Sequence, residues 1–251
     1  MVINLKCSPL IFFLTSLLMW QVFRFIQLVL IVVLTIVSGI LGILLMLILR
    51  SPKVAMHLVP NYLWSPGLFW VLGVRLKVAS PITSPAPAIY AANHSSPLDI
   101  PAMFLALPVN GYFIAKIELK KIPIMGWFMS LAGMIFIDRS KREKAMESMN
   151  QAGEEMKKGK SVIVFPEGTR SKTGEIQLFK RGAFILSKES GVPITPVLIK
   201  GAHAVLPPGK FLPHPGIIEV KFFENMLWND SQYKVPEDFA NHCQHIISHE
   251  A

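Results

Sequence analysis

The sequence predicts an α/β domain with a mixed, largely parallel sheet flanked by helices, preceded by an N-terminal membrane-embedded helical segment. Beyond residue 88, short apolar runs alternate with helical stretches, a pattern typical of sheets with parallel pairing. The first fifty residues are instead almost continuously apolar. Hydrophobic residues make up 52% of the chain and charged residues only 16%, which indicates a contribution from the membrane.

The N-terminal apolar region divides into two runs. Leu10–Trp20 is too short to cross a bilayer comfortably, whereas Phe25–Leu49 has no charged residue and would span roughly 37 Å as a helix. Arg24 lies between the two runs, so two arrangements remain open: one spanning helix with an interfacial preface, or a helical hairpin within one leaflet. We assign residues 1–50 to a retained membrane anchor, because a cleaved signal peptide has an apolar region of only ~7–15 residues.

Residues 51–87 are predicted to form a connector, because prolines repeatedly interrupt their apolar patches. The aromatic residues Trp64, Phe69 and Trp70 either rest at the membrane interface or pack in the core. Arg50 and Lys53, beside the end of the anchor, favour a cytoplasmic position for the domain that follows.

The remaining residues, 88–251, are predicted to form the globular domain. Short apolar runs predict six buried strands, which are Ala88–Ala92, Tyr112–Ala115, Met134–Ile137, Ser161–Phe165, Ile194–Ile199 and Ile217–Phe223. The clearest helices are Lys141–Lys158, which Gly159 ends, and Leu178–Glu189, which Gly191 follows after one residue.

The charge balance narrows the classes of partner. The chain carries a net charge of +9, with 25 Lys and Arg against 16 Asp and Glu. A basic protein with an apolar anchor suits anionic lipid, whereas no aromatic-interleaved basic stripe or known module supports nucleic-acid binding. The two cysteines, Cys7 and Cys243, form neither a disulfide framework nor a metal motif, and no metal site is predicted.

The first candidate site is the segment Asn93-His94-Ser95-Ser96-Pro97-Leu98-Asp99, directly after a predicted strand. With Ser96 as N-cap and Pro97 at the first helical position, His94 would lie on the preceding loop and Asp99 in the first turn. Asp99 could then hold one imidazole nitrogen and leave the other free to accept a proton. Alternatively, Ser96 and Asp99 form only a capping box and His94 is a loop histidine.

The second candidate site is Phe165-Pro166-Glu167-Gly168-Thr169-Arg170-Ser171, also at the end of a predicted strand. Ligands of open α/β sheets bind beyond the carboxyl ends of the strands. Gly168 would let the backbone approach a ligand, and Arg170 offers a planar fork that suits phosphate oxygens. The alternative is a glycine-containing surface turn with a solvated arginine.

Together these motifs resemble the signature of the glycerolipid acyltransferase family, which includes the lysophosphatidate (1-acyl-glycerol-3-phosphate) acyltransferases. His94-x4-Asp99 resembles the family's first block, and Glu167-Gly168-Thr169-Arg170 its third. The segment around Lys116, with Pro123 and Gly126, resembles the second block, and Val192–Val197 the fourth. The resemblance covers roughly residues 88–200, with the blocks in order.

The resemblance implies that residues 88–251 are a catalytic domain in which His94 is the general base and Asp99 orients it. The acceptor would be a lysophospholipid, most simply lysophosphatidate giving phosphatidate, and the donor acyl-CoA or an acyl carrier protein. No cofactor is implied beyond this donor. The implied acceptor contacts are Glu167, Gly168, Thr169, Arg170, Lys116 and Arg139.

Three other readings stay open at this point. The first is transfer to another lysolipid. The second is a lipid ester or phosphoester hydrolase that uses His94 and Asp99. The third is a non-catalytic lipid-binding protein, although the presence of both motifs in full argues against the loss of catalysis.

Overall fold

The structure is a computed structural model that describes residues 9–82, 87–138, 142–211 and 213–251. Within these residues, seven strands form one sheet, in the order β1-β7-β6-β2-β5-β3-β4. Every neighbouring pair is parallel except β6 and β7, so β7 and β1 run opposite to the other five strands. The strands are β1 Val74–Ser80, β2 Ile89–Ala92, β3 Gly111–Lys116, β4 Ile135–Ile137, β5 Ser161–Val164, β6 Ile194–Lys200 and β7 Gly216–Phe222. The predicted α/β class with a largely parallel sheet is confirmed.

The central strands are buried on both faces, which explains their continuous apolar runs. All residues of β2 and β5 are buried. Successive residues of β2 point to opposite faces, so Tyr90 belongs to one apolar cluster while Ile89 and Ala91 belong to the other. The sheet therefore lies in the middle layer between two layers of helices.

The segment predicted as a connector contains regular structure. Val74–Ser80 forms the edge strand β1, which pairs in parallel with β7. Its apolar residues Val74, Leu76 and Val78 alternate with more exposed neighbours, as expected for a half-buried edge. The sheet thus begins upstream of residue 88, because the alternation of β1 outweighs the prolines that surround it in the sequence.

The helices cover both faces of the sheet and extend beyond it at the N-terminal end. They are α1 Pro9–Leu49, α2 Pro52–Leu58, α3 Ser65–Leu72, α4 Asp99–Ala106, α5 Met125–Leu131, α6 Arg142–Lys157, α7 Gly182–Ser190, α8 Ala202–Val205 and α9 Pro236–Ser248. A π-helical turn, Val59–Trp64, joins α2 to α3, and a 3-10 turn, Ile117–Lys121, follows β3. Helix α7 begins four residues later than predicted, because residues 178–181 belong to an irregular segment.

The N-terminal region is a helical hairpin whose second arm was not predicted. Helix α1 continues through Arg24 without a break, so a hairpin that turns at this residue is excluded. The chain turns at Arg50, which has a φ of 49°, and residues 52–72 return along α1. Their contacts run in antiparallel order: Trp64 Nε1 donates to Thr35 Oγ1 (3.2 Å), and Gln27 Nε2 donates to the Val71 carbonyl (2.9 Å).

One stripe of α1 packs against the rest of the protein. Arg24, the charge that interrupts the apolar sequence, is buried on this stripe, where its guanidinium donates to the Pro213 carbonyl and lies 4.3 Å from the centre of the Trp20 ring. Further along the stripe, Gly39 and Gly42 allow close approach to α5, because a Cβ at either position would clash with Ile124 or Phe128. Arg24 and the glycines therefore fix α1 against the domain.

The opposite face of α1 is apolar and exposed. The segment Thr15–Leu49 is long enough and apolar enough to cross a membrane. Its mean hydropathy is 3.1, and few of its residues are buried. Side chains such as Val33, Ile36 and Ile40 are 41–49% exposed. An apolar face of this length in a basic chain indicates membrane association.

We expect charges on the exposed face of α1 to weaken membrane association. The double substitution Val33→Glu and Ile40→Glu puts carboxylates where apolar side chains would contact lipid. Such burial is unfavourable by about 2.5–3.5 kcal/mol per charge at the centre of a membrane helix. After a high-salt or carbonate wash of isolated membranes, the wild type should remain in the pellet and the variant should appear partly in the supernatant.

A matched control is Leu227→Glu, which introduces the same charge at an exposed apolar position outside α1. This variant should fractionate with the wild type. Release of the wild type by salt alone would contradict the membrane-association model.

Candidate active site

The two motifs meet because their strands are neighbours in the sheet. β2 pairs in parallel with β5, and β5 pairs in parallel with β3. The carboxyl ends of these strands therefore lie at one edge of the sheet. His94 comes shortly after β2, the segment 165–171 follows β5, and Lys116 is the last residue of β3. This is the edge of an α/β sheet at which ligands bind.

His94 and Asp99 are in direct contact. Imidazole Nδ1 lies 2.8 Å from Asp99 Oδ2, and the carboxylate is fully buried whereas the imidazole is 15% exposed. The same oxygen accepts the backbone N–H groups of Ser95 and Ser96, each at 2.8 Å. Asp99 therefore fixes the backbone of the loop before α4 and orients His94 at the same time. Imidazole Nε2 remains as the nitrogen that can receive a proton from a ligand.

Helix α4 begins later than the sequence predicts, and this changes the chemistry of the loop. The helix starts at Asp99, and Ser96 Oγ accepts the Leu98 N–H (3.1 Å) just before it. The N–H groups of Ser95 and Ser96 are engaged by Asp99. The amide donors just before this helix, which could otherwise stabilise an oxyanion, therefore already have intramolecular acceptors.

The neighbours of His94 anchor its loop to β6 and to the segment after it. The Asn93 side chain accepts the Ile199 N–H (2.7 Å) and donates to the Ile199 carbonyl (3.0 Å), which mimics a further residue of the β2–β6 ladder. Ser96 Oγ also donates to the Leu206 carbonyl (2.8 Å). The sequence predicted neither of these contacts, since their partners lie more than one hundred residues away.

An aromatic ring supports the imidazole. Phe165 stacks on His94 with a centroid distance of 4.0 Å and an interplanar angle of 11°, and Phe113 of β3 stacks behind Phe165 at 5.8 Å. The rings fix the imidazole plane from one side while Asp99 fixes its edge. An aromatic residue at the end of a strand is the only sequence signal for this contact.

Glu167 points away from solvent towards the backbone. It is 3% exposed, and its Oε1 accepts the His94 N–H at 2.8 Å. Burial raises the pKa of the Glu167 carboxyl to about 7; hydrogen bonds from the backbone N–H groups of His94 and Gln177 oppose the increase, and nearby Asp99 adds to it. The Glu167 carboxyl, which was predicted to contact the acceptor, therefore lies buried beneath the loop.

The residues after Glu167 face outward. Gly168 has a φ of 76°, a backbone conformation that favours glycine. Thr169 and Arg170 are exposed beside it. Lys116 is exposed at the end of β3, and Arg139 lies outside the described residues.

These outward-facing residues and His94 border one cavity of about 630 Å³. Its polar wall contains His94, Lys116, Thr169 and Arg170. The rest of the lining is largely apolar and includes side chains of α5, the π-helical turn and α1. A base, two cations and a long apolar compartment thus share one space, which suits an amphiphilic ligand with an anionic head. The contribution of α1 to this wall was not predicted.

We expect Glu167→Gln to change the pH dependence of stability. Because the pKa of Glu167 is raised from 4.5 to about 7 on folding, the folded chain binds more protons than the unfolded chain between these values. The contribution of Glu167 to the free energy of unfolding therefore falls as the pH rises through this window. The effect is at most on the order of 3 kcal/mol, because one pKa unit corresponds to about 1.4 kcal/mol.

The measurement is the difference in Tm between variant and wild type at several pH values in one detergent. Glutamine cannot lose a proton, so this difference should shift in favour of Glu167→Gln between about pH 5 and about pH 8. Glu175→Gln, at an exposed position on the following segment, is the control and should give a flat difference. A flat difference for Glu167→Gln would contradict a raised pKa.

Comparisons with known proteins show the family to which the chain belongs. The acyltransferase family model matches residues 74–200, half of the chain. A 1-acyl-sn-glycerol-3-phosphate acyltransferase of Limnanthes douglasii is 32% identical over 202 residues, covering 79% of this chain and 72% of that protein. The yeast (Saccharomyces cerevisiae) enzyme of that name is 41% identical over 142 residues, covering 55% of this chain.

The chain spans about half the length of the yeast relative, since the match covers 47% of that protein. Among solved structures, the 1-acyl-sn-glycerophosphate (LPA) acyltransferase PlsC of Thermotoga maritima superposes with a TM-score of 0.77 at 25% identity. That match covers 92% of this chain and 95% of the other. The family model over half of the chain and the Limnanthes douglasii relative show the same family. The chain belongs to the acyltransferase family.

Proposed function

We propose that this protein transfers a fatty acyl group from a thioester donor, acyl-CoA or acyl carrier protein, to the free hydroxyl of lysophosphatidate, giving phosphatidate. The observation that carries the proposal is the His94–Asp99 pair at the polar end of a largely apolar cavity that Arg170 and Lys116 also border. Both the family model and relatives named as 1-acyl-sn-glycerol-3-phosphate acyltransferases support it.

In the proposed reaction His94 is a general base. Nδ1 is held by Asp99, so Nε2 takes the proton of the acceptor hydroxyl while that oxygen attacks the thioester carbonyl. The tetrahedral intermediate collapses with cleavage of the C–S bond, and the imidazolium returns its proton to the departing thiolate. The ester and the free thiol leave. The buried Asp99 carboxylate stabilises the imidazolium, and no acyl-enzyme or cofactor is required.

The acceptor's phosphate would lie against the outward-facing part of the second motif. Arg170 supplies a planar fork for two phosphate oxygens and Lys116 a compact charge across the cavity. The acyl chain would occupy the apolar part, whose walls come mainly from α4, α5 and the π-helical turn. This arrangement places the hydroxyl of a lysolipid between an anion clamp and a base.

We further propose that α1 holds this site at the cytoplasmic surface of a membrane. The exposed face of α1 is apolar while its packed stripe fixes the domain beside it, so a lipid acceptor can enter without crossing water. Arg50 and Lys53, at the end of the hairpin's first arm, favour the cytoplasmic side. Thioester donors would then approach from the aqueous phase.

The direct test offers labelled acyl-CoA and acyl carrier protein with a panel of lysolipids, followed by product identification by mass spectrometry. We expect phosphatidate from lysophosphatidate, and His94→Ala should lower kcat by about two to four orders of magnitude, the usual effect of losing a general base. Near-normal turnover by a folded His94→Ala protein would refute the mechanism. Free fatty acid without esterified acceptor would instead indicate a hydrolase.

We expect Arg170→Lys to raise the KM for the acceptor while changing the KM for the donor little. Lysine keeps the charge but loses the bidentate fork. The increase should be at least about tenfold, because a hydrogen bond to a charged group contributes roughly 1.5–3 kcal/mol. Initial rates at varied concentrations of each substrate provide both constants.

The matched control is Arg181→Lys, the same substitution at an exposed arginine that pairs with Glu237 at 2.7 Å. It should leave both constants near the wild-type values. If Arg170→Lys changes only the donor constant, Arg170 contacts the thioester carrier rather than the phosphate.

A further inference from the structure

The backbone of the catalytic base is bonded on both sides to the loop that carries the anion clamp. The His94 N–H donates to Glu167 Oε1, and the His94 carbonyl accepts the Ser171 N–H, each at 2.8 Å. The imidazole of His94 also stacks on Phe165. The loop 165–171 therefore contacts the backbone and the ring of His94 from three of its residues.

The same loop presents its other residues to the cavity. Arg170 is exposed in the cavity wall and lies directly before Ser171 in the chain. Glu167 lies three residues before Arg170 and does not belong to the cavity wall. A phosphate bound to Arg170 would thus act on a segment that is hydrogen-bonded to His94 on both sides of Arg170, through Glu167 and through Ser171.

Glu167 is the buried residue through which the loop 165–171 holds the His94 backbone. Its Oε1 accepts the His94 N–H at 2.8 Å, and the side chain is almost completely buried. It therefore joins the loop after β2 to the loop that carries the clamp. Its burial beneath the loop prevents it from acting as an acceptor contact.

We propose that Glu167 is a positioning residue which, together with the Ser171 amide, couples occupancy of the Arg170 clamp to the placement of the His94 imidazole. This inference rests on the proposed function. It means that part of the free energy of phosphate binding is expressed in kcat rather than in KM, as happens when a non-reacting part of a substrate orients the catalytic group.

The coupling has a consequence for truncated acceptors. A monoacylglycerol has the hydroxyl but lacks the phosphate, so it should react with a reduced kcat as well as a raised KM. Inorganic phosphite dianion is small enough to be used as the missing piece. Added to the reaction, it should bind at Arg170 and raise kcat for monoacylglycerol without becoming part of the product.

The experiment uses the full chain in mixed micelles with acyl-CoA. kcat and KM are measured for lysophosphatidate, and for monoacylglycerol with and without phosphite. Four proteins are compared: the wild type, Glu167→Ala, Glu167→Gln and the control Glu175→Ala. Glu175 is an exposed glutamate on the following segment, and its described side-chain hydrogen bond is to Thr173.

We expect phosphite to activate the wild type and Glu175→Ala. Glu167→Ala should lose roughly 100-fold in kcat for lysophosphatidate, the scale of a small misplacement of a catalytic group, with a nearly unchanged KM and no activation by phosphite. Glu167→Gln should be rescued to within about tenfold of the wild type, since its amide oxygen can still accept the His94 N–H.

The outcomes separate the two proposals. If the wild type does not acylate lysophosphatidate, the proposed function fails. If it does, but phosphite leaves the kcat of the wild type for monoacylglycerol unchanged, the coupling is refuted, and this result requires no variant to fold. A Glu167→Ala protein that raises the acceptor KM at constant kcat would likewise refute it and return Glu167 to a direct contact.

Discussion

The arrangement of this protein depends on the parallel pairing of β2 with β5. Each strand is only four residues long and fully buried, so its position is fixed by packing on both faces of the sheet. Because parallel strands end at the same edge, the pairing brings together two loops that are seventy residues apart in sequence. Every contact between His94 and the segment 165–171 follows from this register, and a slip of one residue would turn the loops to opposite faces.

Within that frame, one buried oxygen performs two tasks. Asp99 Oδ2 receives the His94 ring and two backbone amides, so the start of α4 and the orientation of the base share an anchor. Charge-assisted bonds of this kind compensate for the desolvation of the carboxylate. The same contacts that hold the loop before α4 therefore also fix the edge of the imidazole that Asp99 faces.

The N-terminal helix α1 also contributes to the site. Helix α1 packs through Gly39 and Gly42 against α5 and through Thr35 against the π-helical turn, and these elements together form the wall of the cavity. A π-helical turn adds a residue to the helical repeat and shifts the side chains after it, which occurs often at functional sites. Membrane attachment and the shape of the apolar compartment are consequently linked through the same helix.

The sequence by itself determined the α/β class, the apolar N-terminal helix and the two motifs, because each depends on local patterns: strand–helix alternation, an uncharged run, and polar residues at strand ends. It also predicted the contact between His94 and Asp99, since both lie within one loop and the following turn. The edge strand β1 was missed although Val74, Leu76 and Val78 alternate with polar residues, because the surrounding prolines suggested a connector.

Only the tertiary structure decided the roles that depend on distant partners. Nothing local indicates that Glu167 points inward to the His94 backbone, that Asn93 pairs with Ile199, or that α1 folds back with residues 52–72 to line the cavity. Each of these contacts joins segments at least twenty-nine residues apart along the chain. Such contacts satisfy buried polar groups or fill space between elements, and their partners are known only when the sheet has set the elements beside each other.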